Sequence, residues 1–186
     1  MASLHPAIAA PLADVETQRL SIRRLDAADL DDLESILADA EVWRFEAREE
    51  ASAMLARQLQ LWSEYGFGGC GVHTVEQQAL IGVVGLAVPS VFQAQLPPVT
   101  IGWRFSPAVW GNGYATEAAT AVLDQAFTTM ALDQVGCVTD ADNVRSVALA
   151  ERLGMRLIAE VPAPRDDGNG LATAALFEIR ATAFLP

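Results

Sequence analysis

The sequence predicts a mixed α/β domain built on a mostly antiparallel sheet, and three observations carry that prediction. Three strand-like runs follow one another between residues 70 and 105 without a helix between them. A long amphipathic stretch, Gly113 to Met130, then separates two more strand-like runs as a crossover. The chain has 186 residues and is 52% hydrophobic, which suits one domain with a core that needs no staples.

Each element follows in order. Arg19 to Leu25 alternates apolar and polar residues, the pattern of a half-buried strand. Asp26 stands where an N-cap would, and Leu30, Leu33, Ile36 and Leu37 then recur at helical spacing, predicting a helix over Ala27 to Ala40. Glu49 to Tyr65 repeats the pattern and stops at Gly66. Cys70 to Glu76 and Leu80 to Val88 read as a hairpin around Gln77-Gln78-Ala79, and Val99 to Phe105 as the next strand. The crossover helix leads to a strand at Gln134 to Thr139, a helix from Asn143 to Leu153 ending at Gly154, and strands at Met155 to Val161 and Thr173 to Ile179. Pro162 to Gly170 reads as a loop. Residues 1–15, rich in Ala and Pro, read as a flexible tail, with the domain over residues 16–186. The order is β-α-α-β-β-β-α-β-α-β-β.

Composition excludes several functions. All 12 cations are arginine, so chemistry that needs a lysine on phosphate or in a Schiff base is ruled out. A net charge of −12 argues against a nucleic-acid partner, and no apolar run approaches the ~18 residues of a membrane span. Cys70 and Cys137 lie in apolar strand-like runs and read as buried reduced thiols in a cytoplasmic protein. No His/Cys cluster has metal-ligand spacing, and His73 reads as a packed residue.

The stretch that carries chemistry is Trp110-Gly111-Asn112-Gly113-Tyr114-Ala115-Thr116-Glu117-Ala118. Two glycines and an alanine at a helix N-terminus let several backbone N–H groups approach a bulky anion, and the helix dipole adds about half a positive charge. Such a site needs no lysine. A glycine-rich turn required only for packing is the alternative. A dinucleotide fingerprint fails on its third glycine, where Thr116 stands, and on its position in the chain.

Together with Ile101-Gly102-Trp103-Arg104-Phe105, this stretch closely resembles the acyl-CoA-binding motif of the GNAT superfamily of N-acetyltransferases, and within it the ribosomal-protein N-terminal amine acetyltransferases. Asp142-Asn143-Val144-Arg145-Ser146, leading to Glu151-Arg152-Leu153-Gly154-Met155, resembles the second motif of that superfamily. Thr17 to Arg23 and Leu80 to Leu86 resemble two of its strands. The resemblance spans about Glu16 to Phe184 and implies a single GNAT-type domain whose sheet is splayed at the coenzyme A site.

The resemblance implies acetyl-CoA as cosubstrate and an acetyl group moved directly to a primary amine, of a small molecule or a protein N-terminus. Backbone amides from Gly111 through Asn112, Gly113, Tyr114 and Ala115 to Thr116 would hold the pyrophosphate. Main-chain groups of Trp103, Arg104 and Phe105 would pair with the pantetheine arm, and Asn143 would bond the same arm. Ser146 matches the residue that protonates the departing thiolate; a helix-surface hydroxyl is its alternative role. Many relatives place a Tyr four residues later, where this chain has Ala150. Glu46, Glu49 and Glu64 are candidates for the base. Residues 26–50 hold ten carboxylates against two arginines, either a cation-attracting acceptor face or a solvated surface. A non-catalytic acyl-CoA sensor is the alternative function, and a homodimer is left open.

Overall fold

The computed structural model describes residues 8–45, 48–164 and 171–184. Eight strands form one sheet: β1 (Val15–Glu16), β2 (Leu20–Arg24), β3 (Gly69–Thr74), β4 (Leu80–Ala87), β5 (Thr100–Phe105), β6 (Gln134–Asp140), β7 (Arg156–Pro164) and β8 (Leu171–Arg180). The helices are α1 (Leu30–Leu37), α2 (Ala51–Tyr65), α3 (Tyr114–Thr128) and α4 (Val144–Arg152). Across the sheet the order is β1-β2-β3-β4-β5-β6-β8-β7. Neighbours are antiparallel except β5 and β6, which the α3 crossover makes parallel. The predicted fold class and element order are those of the structure, with β1 as an additional short strand.

Both faces of the sheet are covered. Ala118, Ala119, Val122, Leu123 and Ala126 of α3 pack on Leu20, Val72, Val84, Leu86 and Ile101. The alanines let the helix lie close to the strands. On the other face, Leu33 and Leu37 of α1 and Met54 and Leu55 of α2 enclose Leu25, Leu80 and Val83. Burying a Leu or Met side chain contributes about 1.5–3 kcal/mol, so these two layers hold the domain together.

The helix read over Ala27 to Ala40 is broken into three pieces. A 3-10 turn at Ala27–Asp29 is closed by a capping box, in which Asp26 accepts from the Ala28 amide at 2.7 Å and Asp29 from the Asp26 amide at 2.9 Å. After α1, Asp39 accepts from the Glu41 amide at 2.9 Å and starts a second 3-10 turn, Ala40–Trp43. The Trp43 indole donates to the Leu37 carbonyl at 2.7 Å, satisfying a group the ended helix leaves orphaned. Gly66, at φ +73°, closes α2 as expected.

The stretch read as a tail is held down from Ile8 onward. The Ala9 amide donates to the Met130 carbonyl and the Leu12 amide to the Gly66 carbonyl, and Leu12 is buried. Gln125 exchanges two hydrogen bonds with the Ala13 backbone. Val15 and Glu16 then pair with β2. Residues 1–7 lie outside the described residues, as does most of the loop expected at Pro162 to Gly170, since β7 runs on to Pro164.

Candidate functional site

The site begins where the sheet comes apart. β5 and β6 share one paired position, Thr100 with Gly136, closed by the Gly136 amide on the Val99 carbonyl at 2.9 Å. β6 pairs along its length with β8 instead, so β5 keeps one side unpaired beyond Ile101. Main-chain groups alternate sides along a strand, so those of Ile101, Trp103 and Phe105 turn the same way as Val99's, into the gap. Those of Arg104 turn toward β4, whose Val83 it faces. The parallel pair also places the N-termini of α3 and α4 at this end, where open α/β sheets hold ligands.

A cavity of about 810 Å³ fills the gap. Its wall includes the predicted residues Trp103, Arg104, Phe105, Gly111, Gly113, Tyr114, Ala115, Thr116, Asn143 and Ser146. Asn112 stands just behind, its side chain donating to the Val109 carbonyl at 3.0 Å. Gly111 and Gly113 both have φ of +80°, a conformation that strains any residue with a Cβ. A Cβ at Gly111 would meet nothing within 4 Å, so the backbone there lies open. Gly113 is the N-cap of α3 and brings no capping side chain, which leaves the first-turn N–H groups for a ligand. These features fit an anion of pyrophosphate size.

The facing helix supplies the rest. Asn143 caps α4, its Oδ1 accepting from the Ser146 amide at 3.2 Å, so its carboxamide nitrogen is not used by the cap. The Trp103 indole donates to Ser146 Oγ at 3.3 Å, bridging β5 and α4. Ala150 is fully buried and offers no acid. The Phe105 carbonyl is already taken by the Trp110 indole at 2.9 Å.

Several residues at the site were given no role by the sequence. Arg145 and Arg152 lie seven residues apart on one face of α4, a spacing that could have flagged them. The Arg145 guanidinium sits 4.6 Å from the Trp110 ring centroid, and Arg152 donates to Thr116 Oγ1 at 3.4 Å. The turn after α1 contributes Glu41, Val42, Arg44 and Phe45. The charged residues on the cavity wall are Arg44, Arg104, Arg145 and Arg152 against Glu41 and Glu117. A cavity rich in arginine therefore lies in a protein of net charge −12.

Four carboxylates of the acidic run of residues 26–50 are engaged elsewhere. Asp29 is buried against Arg23 at 2.7 Å, Glu49 pairs with Arg57 at 2.9 Å, and Asp26 and Asp39 cap turns. Of the described residues of that run, only Glu41 lines the cavity, 3.5 Å from Arg44. Among the candidate bases, Glu49 and Glu64 are not on the cavity wall, and Glu46 lies outside the described residues. His73 is buried, with its Nε2 3.1 Å from both Asp29 and Arg23, and it does not line the cavity.

Comparison with known proteins agrees with this architecture. The acetyltransferase (GNAT) domain family matches residues 19–156, most of the chain. The uncharacterized N-acetyltransferase YoaA of Bacillus subtilis is 26% identical over 148 residues, 76% of this chain and 82% of that protein. An acetyltransferase from Agrobacterium tumefaciens superposes with a TM-score of 0.72 at 26% identity, covering 90% of this chain and 94% of the other. The ribosomal-protein-S5-alanine acetyltransferase of Vibrio fischeri shares the fold, with a TM-score of 0.75 at 14% identity over 94% of this chain and all of the other. The chain belongs to the GNAT acetyltransferase family.

Proposed function

We propose that this protein transfers an acetyl group from acetyl-CoA to the nitrogen of a primary amine, of a small molecule or a protein N-terminus. The observation that carries the reading is the gap between β5 and β6, with two helix N-termini and two left-handed glycines at its mouth. A polyanion with a long arm fits there: phosphates at Gly111 to Thr116, the arm along the Ile101 carbonyl and the main-chain groups of Trp103, and Asn143 beside it. Arg104 would contribute its side chain rather than its main chain.

The amine nitrogen attacks the thioester carbonyl carbon, and the carbon–sulfur bond breaks. Ser146 is the general acid in this reading. Its Oγ accepts from the Trp103 indole, which fixes the oxygen and stabilises it as its proton leaves for the thiolate. The attacking nitrogen loses its proton to water, and the serine is reprotonated. Holding both reactants together supplies the larger share of the rate, up to ~7–11 kcal/mol. Among the described residues, the acidic run that suggested a cationic acceptor reaches the cavity through Glu41.

A thiol-release assay with acetyl-CoA and a panel of amines tests the reading. Turnover with one class of primary amine, together with CoA binding by calorimetry, supports it. CoA binding without thiol release across peptides, polyamines and amino sugars would instead indicate an acyl-CoA sensor.

A further inference from the structure

Arg19 lies in the bend between β1 and β2, more than 90 residues from the phosphate loop in sequence, yet its guanidinium is built into the back of that loop. Its Nη1 donates to the Asn112 carbonyl at 2.9 Å, and its Nε and Nη2 meet Glu117 Oε2 at 2.7 and 2.6 Å. The guanidinium also lies 4.5 Å from the Tyr114 ring centroid, and its Nη2 is the nearest atom to a Cβ placed on Gly113, at 3.5 Å. Glu117 is held further by Thr17 Oγ1 at 2.5 Å and by the Arg19 amide at 3.1 Å.

This arrangement answers an electrostatic problem. Glu117 stands in the first turn of α3 and on the cavity wall, close to where an anion would sit. Burial raises its carboxyl pKa, but the hydrogen bonds from Thr17 and Arg19 and the charge of Arg19 outweigh that and keep it low, so the group is ionised at neutral pH. An ionised carboxylate there complements the helix dipole but repels a phosphate. Arg19 cancels the charge. By taking the Asn112 carbonyl from behind, it also holds the loop in the conformation whose N–H groups face the cavity.

We propose that Arg19 is a positioning residue for the donor's phosphates: it neutralises Glu117 and braces the Asn112–Gly113 backbone without touching the ligand. The proposal rests on the coenzyme A reading above. Calorimetric titration of CoA into wild type, Arg19→Met, Arg19→Lys, Glu117→Gln and the Arg19→Met/Glu117→Gln double variant tests it, with circular dichroism confirming each fold. Arg19→Met weakens CoA binding tenfold or more. Arg19→Lys, which keeps the charge, stays within about threefold of wild type. Glu117→Gln tightens binding, because it releases a cation beside the site, and the double variant recovers most of the loss.

A brace acting only through structure would instead make Glu117→Gln weaker and the double variant no better than Arg19→Met. Either result overturns the proposal, as does wild-type affinity in Arg19→Met. Should Arg19→Met not fold, Glu117→Gln and Arg19→Lys decide between the two. Wild type that binds no CoA overturns the underlying reading of the site; wild type that binds while every variant matches it overturns the role of Arg19 alone.

Discussion

Ser146 receives a hydrogen bond from an indole that cannot accept one back, so its hydroxyl proton is the part left to act. Ser146→Ala should therefore lower kcat by about 10²-fold or more while leaving the CoA dissociation constant within twofold, as steady-state kinetics and calorimetry would show. Asp29 makes a different prediction. Burial pushes its carboxyl pKa up, but the hydrogen bonds from Arg23, the Asp26 amide and His73, with the charge of Arg23, hold it below its ordinary 3.8. Glu117 is likewise held below 4.5. A depressed carboxyl pKa stabilises the fold fully above the ordinary value, and that contribution is lost as pH falls through the folded value. Urea midpoints should thus drop as pH falls below about 4.5. Asp29→Asn should lower the unfolding free energy at neutral pH by about 2 kcal/mol, with Arg23 partly in water, move the urea midpoint down accordingly, and flatten the acid limb. The cap at Asn143 was legible because it is local, whereas Ser146 was picked out by the family resemblance. The Arg19–Glu117 pair was not legible, because only the folded sheet brings β2 against α3.

At the level of elements, the hollow on the α2 side of the sheet sets two glycines against each other. Gly85 and Gly102 are register partners on β4 and β5. A Cβ on Gly85 would lie 2.2 Å from the Gly68 carbonyl oxygen, a backbone atom, whereas one on Gly102 would meet nothing within 4 Å. Gly85→Ala should cost about 3 kcal/mol or more and lower Tm by about 6–12 °C, while Gly102→Ala should stay within about 0.5 kcal/mol. Differential scanning calorimetry of the two variants checks this. Periodicity found α1, α2 and α3, since an amphipathic face is written at fixed spacing. It missed the break at Asp39, where a side-chain oxygen competes with the helix for the Glu41 amide and leaves no trace in the hydrophobic pattern. It also missed β1, two residues long, too short to show a period. The gap between β5 and β6 came from the resemblance, because nothing in either strand announces that they diverge.

For the whole molecule, net charge and cavity charge oppose each other. The chain carries −12 while its cavity wall carries more arginine than glutamate. At ~0.01 M salt the Debye length is about 30 Å, and an approaching polyphosphate feels the entire acidic protein; at ~0.15 M it is about 8 Å, and only the mouth is felt. The association rate of CoA should therefore rise with salt, by about twofold across that range, the reverse of ordinary cation-steered anion binding. Rapid-mixing binding at several salt concentrations measures it, and a rate that falls would count against a net repulsive field. The sequence showed the charge and its concentration in residues 26–50, but not that, of the described carboxylates in that run, only Glu41 would line the cavity.

The indole that reaches Ser146 and the one beneath Arg145 have an optical consequence. Two of the four tryptophans, Trp103 and Trp110, form part of the cavity wall, while Trp62 of α2 donates to the Gly69 carbonyl at the start of β3. Their emission depends on what lies against them, so a ligand that enters between β5 and α4 writes its arrival into the protein's own ultraviolet fluorescence. Occupancy, and the order in which donor and acceptor arrive, can then be followed with no label attached and no turnover required.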